Sequence, residues 1–177
     1  MPRLFSALAI PEDIARALSL HRGGLPGARW VEPSDYHITL RFMGDIDEAT
    51  ARDIDESLAE IRRRPFTVTL DGLGSFGGGR PRAIIARVTP TAPLVELQAD
   101  QERRVRRAGL EPETRKFTPH VTLARLRDAS PIDVADYLAS RSIPQSLTFE
   151  VDNFVLYSSR ASVGGGPYVA EAVYPLG

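Results

Sequence analysis

Hydrophobic and polar positions divide the chain into short apolar runs and longer amphipathic stretches. Arg3 to Ile10 is an apolar run of strand length. Pro11, with Glu12 and Asp13 behind it, has the composition of a first helical turn, and the helix should reach about His21 before Gly23-Gly24 ends it. Ala28 to Val31 reads as a short strand. From His37 the pattern alternates to a stop at Gly44. Asp45 to Ile61 carries a partial apolar stripe at Ile46, Ile54, Leu58 and Ile61, with Asp45 and Glu48 at capping-box spacing. Phe66, Val68 and Leu70 alternate with threonines as in a half-buried strand, and Arg82 to Val88 predicts another. Thr91 to Ala108 is the best helix, with Thr91 at its cap, Leu94, Leu97, Gln101 and Val105 on one side, and Gly109 at its end. A second alternating run starts at His120. Ser130-Pro131 opens a short helix with Asp133 in its first turn. Leu147 to Val151, Asn153 to Ser158 and Tyr168 to Tyr174 predict three last strands, with Gly164-Gly165-Gly166-Pro167 as the turn between the final two.

The two alternating runs are near copies. One reads His37-Ile38-Thr39-Leu40-Arg41-Phe42 and the other His120-Val121-Thr122-Leu123-Ala124-Arg125, nearly half the chain apart. In a strand, His37 and Thr39 share one face and Ile38 and Leu40 the other; the second copy repeats this with His120 and Thr122 against Val121 and Leu123. Each half of the chain holds one copy among strands and helices. The expected fold is α+β and bilobal: two pseudo-symmetric lobes, each a small antiparallel sheet with outer helices, around a central cleft lined by the two runs. No linker rich in Pro, Ser or charge separates the halves, so 1–177 is expected to be one folding unit.

Paired imidazoles suit acid–base chemistry. One neutral histidine can accept a proton while a charged one donates, and a threonine hydroxyl beside each can hydrogen-bond an anion. That inventory fits in-line attack of water or a hydroxyl on a phosphodiester, with neither metal nor covalent nucleophile. Composition narrows the field further. The chain has no cysteine, which excludes disulfides, thiolate catalysis and Cys-based zinc sites. Two histidines without a neighbouring carboxylate or cysteine make a poor ligand set, so no metal and no cofactor are expected. No G-x-S-x-G elbow is present. The formal net charge of −1 excludes a global polyanion binder, so any nucleic-acid contact must be local. Of 22 basic residues only Lys116 is a lysine, which reads as compositional bias. The basic run Arg103, Arg104, Arg106 and Arg107 reads as a solvated helix face, because Asp100–Arg104 and Glu102–Arg106 are (i, i+4) pairs. Gly72 to Gly77 spells G-x-G-x-x-G, but no helix follows it, and it reads as a flexible loop. His21, the third histidine, falls near a helix C-terminus, where the dipole and free carbonyls account for it. No stretch has the length of a membrane span, and the N-terminal apolar run is too short for a secretory signal, so a soluble cytoplasmic protein is expected.

The repeated H-x-T-x, with x apolar, resembles the signature of the two-histidine phosphoesterase superfamily, and within it the bacterial RNA 2′,3′-cyclic phosphodiesterases, also called 2′–5′ RNA ligases. Arg3-Leu4-Phe5, Arg29-Trp30-Val31, Phe42-Met43-Gly44, Phe117-Thr118-Pro119-His120 and Gly166-Pro167-Tyr168 extend the likeness over nearly the whole chain. The resemblance implies a bilobal fold and a metal-free hydrolase that converts the 2′,3′-cyclic phosphate of an RNA 3′ end to a 2′-phosphate. By the same analogy His120 is the general base on water and His37 the acid on the leaving oxygen, although the residues themselves leave the two roles interchangeable. Thr39 and Thr122 would donate to phosphate oxygens, Phe42 would stack on the terminal base and Arg125 would contact the phosphate. An ideal strand puts histidine plus five on the wrong face, so Arg125 requires a strand end or a bulge; Arg41, on the His37 face in ideal geometry, is the alternative phosphate contact. The rival readings are 2′–5′ ligation, a phosphodiesterase for small cyclic nucleotides, and a non-catalytic RNA-end-binding module. The expected partner is an RNA 3′ end or nucleotide with a cyclic phosphate, met by a monomer.

Overall fold

The computed structural model describes residues 3–141, 147–159 and 168–177. Its elements follow in the order β1 (Arg3–Ala9), α1 (Glu12–Ser19), β2 (Ala28–Trp30), a 3-10 turn (Pro33–Asp35), β3 (His37–Asp45), α2 (Glu48–Ala59), β4 (Phe66–Phe76), β5 (Ala83–Val88), α3 (Ala92–Arg107), β6 (His120–Leu126), α4 (Pro131–Ser140), β7 (Leu147–Val151), β8 (Asn153–Ser159) and β9 (Tyr168–Pro175). The α+β expectation holds, with a repeated strand, a helix and a strand around each motif. The turn expected at Gly164 to Pro167 lies outside the described residues.

The strands form one antiparallel sheet in the order β7-β4-β5-β6-β3-β1-β8-β9, with β2 pairing β6. The order is symmetric about its centre. Each motif strand is flanked by the strand that precedes it across one helix: β1 beside β3, and β5 beside β6. The two lobes join where β3 meets β6, at the register pair Ile38↔Val121. These are equivalent positions in the two motifs, so a pseudo-two-fold axis passes between them. Beyond this pair β2 takes up the edge of β6, while β1 flanks the other edge of β3 along its length, and the motif strands part to open a cleft.

The apolar face of each motif strand anchors it. Ile38, Leu40, Val121 and Leu123 are all buried in a core that also holds Leu94, Leu97 and Val105 of α3 and Ile54 and Leu58 of α2. Burying residues of this kind is worth about 2 kcal/mol each, and it fixes which face of the strand carries the histidine. Helix α3 packs against β3 and β4, with α2 beside it. Among the described residues no helix is long and apolar enough to cross a membrane.

Three local expectations are corrected. Asp47, not Asp45, caps α2, accepting a hydrogen bond from the Thr50 amide at 2.7 Å, because Asp45 still belongs to β3, opposite Arg3. Thr91 occupies the cap position of α3 but makes no capping bond with its side chain. Gly72 to Phe76 is not a loop: β4 runs through it, paired with β5, after an irregularity between Leu70 and Leu73. Glycine serves two separate needs there. Gly72 takes a φ of +80°, and a Cβ on Gly74 would fall 2.6 Å from Nε of Arg87.

Candidate active site

Both motif strands carry the same defect. In β3, Ser6 pairs with Arg41 and Ala7 with Thr39, which leaves Leu40 as an extra residue. In β6, Ile84 pairs with Ala124 and Ile85 with Thr122, which leaves Leu123 extra. Each is a β-bulge at histidine plus three. The carbonyls at both bulges find donors: Leu40 O accepts from the Gln98 amide at 3.4 Å and Leu123 O from the Val31 N–H at 2.9 Å. A bulge shifts the alternation by one. Leu40 and Arg41 are buried in succession, as are Leu123 and Ala124, after which Phe42 and Arg125 emerge on the face of the histidine and threonine. The geometric obstacle to histidine plus five is thereby removed.

The same shift decides Arg41. Its expected place on the His37 face is not observed. Arg41 is 6% exposed and points to the other side. Its Nε donates to Glu102 Oε1 at 2.8 Å, and its two terminal nitrogens donate to the carbonyls of Phe42 and Glu111, both at 2.6 Å. The solvated face expected of α3 holds for Arg103, Arg106 and Arg107, which are exposed, whereas Arg104 and the acidic partners turn inward. Glu102 and Asp100 are nearly buried; Glu102 binds Arg41 and accepts from the Glu113 amide, while Asp100 holds both Arg63 and Arg104. The helical pairs expected from spacing do form, at 2.9 Å for Asp100–Arg104 and 3.8 Å for Glu102–Arg106, but inside this network.

The two imidazoles are held identically. His37 Nδ1 lies 2.8 Å from the carbonyl of Asp35, and His120 Nδ1 lies 2.7 Å from the carbonyl of Thr118. A carbonyl only accepts, so each Nδ1 carries the proton, and in the neutral ring Nε2 keeps its lone pair. Each Nε2 can therefore accept a proton, or donate one once the ring is charged. Burial lowers both pKa values below the ordinary 6.5, opposed in each case by the carbonyl hydrogen bond. His37 is lowered further by the positive charges of Arg125 and His120. His21 stands apart: burial and then Arg141 lower its pKa, and its carbonyl accepts from Tyr137 and Arg141.

A cavity of about 310 Å³ lies over the motif face and is lined by His37, Thr39, Phe42, Thr122 and Arg125. A second compartment, about 340 Å³, continues from it past Thr39 and Phe42 to His120 and is walled by Arg82, Arg115 and Lys116. The structure thus brings His37, His120, Thr39, Thr122, Phe42 and Arg125 to one cleft. It also adds residues that the sequence reading left out. Phe5 packs on the His37 ring at 4.9 Å between centroids, Tyr168 meets its face edge-on at 5.2 Å, and Phe76 meets His120 edge-on at 4.7 Å. Tyr168 also accepts a hydrogen bond from Arg125, and burial keeps its phenol protonated. The triplets around Phe5 and Tyr168 were visible in the sequence as likenesses, but their contacts to His37 depend on the fold. Among the described residues no group of three or more His, Cys, Asp or Glu is placed to hold a metal ion.

Comparison with known proteins agrees with this arrangement. The family model described as LigT-like phosphoesterase matches twice, over residues 8–85 and 87–168, with one motif in each match. The RNA 2′,3′-cyclic phosphodiesterase of Bacillus subtilis is 35% identical over 130 residues, covering 70% of this chain and 71% of that one. The protein of the same name from Geobacillus stearothermophilus is 34% identical over 182 residues, covering 97% of this chain. The chain spans 56% of the length of that relative and 64% of the length of the one from Aeropyrum pernix. Among solved structures, E. coli LigT complexed with 3′-AMP superposes with a TM-score of 0.78 at 26% identity, over 99% of both chains. The protein TT0787 of Thermus thermophilus gives 0.83 at 25% identity, over 98% of this chain and 97% of that one.

Proposed function

The chain belongs to the LigT-like phosphoesterase family, and on that premise we propose that it hydrolyses the 2′,3′-cyclic phosphate at an RNA 3′ end to a 2′-phosphate. The observation that carries the reading is the matched pair of Nδ1–carbonyl contacts, at 2.8 and 2.7 Å, which dedicates both Nε2 atoms to a single cleft. His120 takes a proton from water. The water oxygen bonds to phosphorus opposite the 3′ oxygen, the P–O3′ bond breaks, and His37 protonates the departing oxygen. The greater exposure of the His120 contact supports its role on water, and the aromatic wall about His37 supports a role on the nucleoside side. Thr39 and Thr122 donate to the phosphate oxygens, Arg125 offsets their charge and Phe42 offers a ring, 42% exposed, to the terminal base. No step requires a metal.

The test is an oligoribonucleotide ending in a 2′,3′-cyclic phosphate, incubated with EDTA and resolved against 2′- and 3′-phosphate standards. Clean 2′-phosphate is expected, with losses of about 10²–10⁴-fold in His37→Ala and His120→Ala. Full activity in either variant refutes the mechanism. The compartment on the His120 side is far larger than a water molecule and carries Arg82, Arg115 and Lys116, which favours an RNA 5′-hydroxyl as a second nucleophile; adding such an oligonucleotide to the same assay tests 2′–5′ joining. One chain supplies both motifs, so we take the working unit to be a cytoplasmic monomer, to be checked by light scattering and cell fractionation.

A further inference from the structure

The cleft is longer than the reacting phosphate needs. A third cavity, about 240 Å³, adjoins the His37 chamber and shares Val31, Asp35, Arg125 and Tyr168 with it. Past that border it is walled by Arg29, Trp30 and Glu32.

Arg29 and Arg125 are register partners on the antiparallel strands β2 and β6. Directly opposed residues share a face of the sheet with Cβ atoms about 5 Å apart, and like charges there are destabilising. Of the two carboxylates that line the cavity, Glu32 and Asp35, Glu32 pairs with Arg22, at 3.4 Å. Arg125 reaches the same cavity, where it donates a hydrogen bond to Tyr168. Two guanidinium groups opposed at the mouth of one cavity are placed to contact a phosphate diester from both sides.

The reaction geometry says which diester. In-line attack puts the nucleophile and the leaving 3′ oxygen on opposite sides of phosphorus. The terminal ribose therefore lies on the His37 side, and its 5′ continuation must leave the cleft from there. The cavity adjoining that side is the one that holds Arg29. We propose that this cavity binds the nucleotide immediately 5′ to the cyclic end, with Arg29 and Arg125 bracketing the phosphodiester that joins it to the terminal nucleoside. This rests on the hydrolase reading given above and makes the enzyme selective for an RNA end over a free cyclic mononucleotide.

Two substrates separate the possibilities: adenosine 2′,3′-cyclic monophosphate, which has no upstream phosphodiester, and a dinucleotide that ends in a 2′,3′-cyclic phosphate. Wild-type protein should turn over the dinucleotide with the higher kcat/KM. Arg29→Ala should lose roughly tenfold on the dinucleotide, through KM, and nothing on the mononucleotide. The salt slope of log kcat/KM on the dinucleotide should fall by about 0.7, the value for one contact to a single strand. Because the substitution relieves a like-charge pair, Tm should hold or rise. Equal losses on both substrates, no loss on either, or a wild type indifferent to the upstream nucleotide would each overturn the proposal. Turnover of neither substrate by the wild type would instead be a failure of the hydrolase reading itself.

Discussion

His37 and His120 each bind the carbonyl two residues before them but have different electrostatic surroundings, and that difference is measurable. Both pKa values lie below 6.5, chiefly through burial. A reaction that needs one ring neutral and the other charged is fastest between the two values. The kcat/KM profile, which reports the free enzyme, is therefore expected to be a bell with its apex below pH 6.5. A bound phosphate favours imidazolium, so the kcat profile should peak at higher pH. Arg125 contributes to the lowering at His37 and is not among the causes at His120. Arg125→Ala should raise the His37 titration and leave that of His120 in place, as followed by NMR of the ring protons in the free protein. Equal movement of both rings, or none, would mean that Arg125 does not face His37 as described.

At the scale of the element, the motif strands show what a sequence pattern can convey. Alternation located β3 and β6 and put each histidine beside its threonine, because a two-residue period is all that requires. It could not locate the bulges. A bulge is a mismatch between two strands, and the partner residues Ser6–Ala7 and Ile84–Ile85 lie far away in sequence. In β6 the run Leu123-Ala124 hinted at two successive buried positions, but in β3 the second of them is Arg41, which looks like a surface residue until Glu102 is brought to it. Gly72 to Gly77 misled for a related reason, since glycine that admits the Arg87 side chain is spelled like glycine in a loop. The pair Arg41–Glu102 gives this element its prediction. Glu102→Gln leaves a buried guanidinium without its counter-charge and should cost about 3 kcal/mol in denaturant unfolding. Replacing both residues by Met should recover much of that loss. A Glu102→Gln protein as stable as wild type would show that the pair is not buried in solution.

The whole molecule joins two similar lobes through one central pair of strands, so its folded state collects buried imidazoles from both. His21, His37 and His120 all have pKa values lowered by burial from the ordinary 6.5. The sign of the resulting pH dependence follows by linkage. An imidazole with a lowered pKa in the fold binds protons more readily in the unfolded chain, so unfolding takes up protons and stability falls as pH falls. The loss begins near the unfolded value of 6.5 and is complete once the folded-state values are passed. Carboxylates titrate near pH 4 and phenols near pH 10, so a scan from about pH 7.5 to about pH 5.5 reads mainly imidazoles. Tm should decline across that interval, and His37→Gln with His120→Gln should flatten most of the decline. Inorganic phosphate offers a complementary test on the unmutated protein. An anion in the cleft favours imidazolium at His37 and His120, so its binding strengthens as those rings charge, and its stabilisation should grow toward the acid end of the scan. His21, held against Arg141 away from the cleft, gains nothing from the anion and sets the residual slope. A Tm that is constant between the two pH values, or a phosphate effect that is the same at both, would show that the paired histidines do not enter the fold as buried neutral rings facing a common anion site.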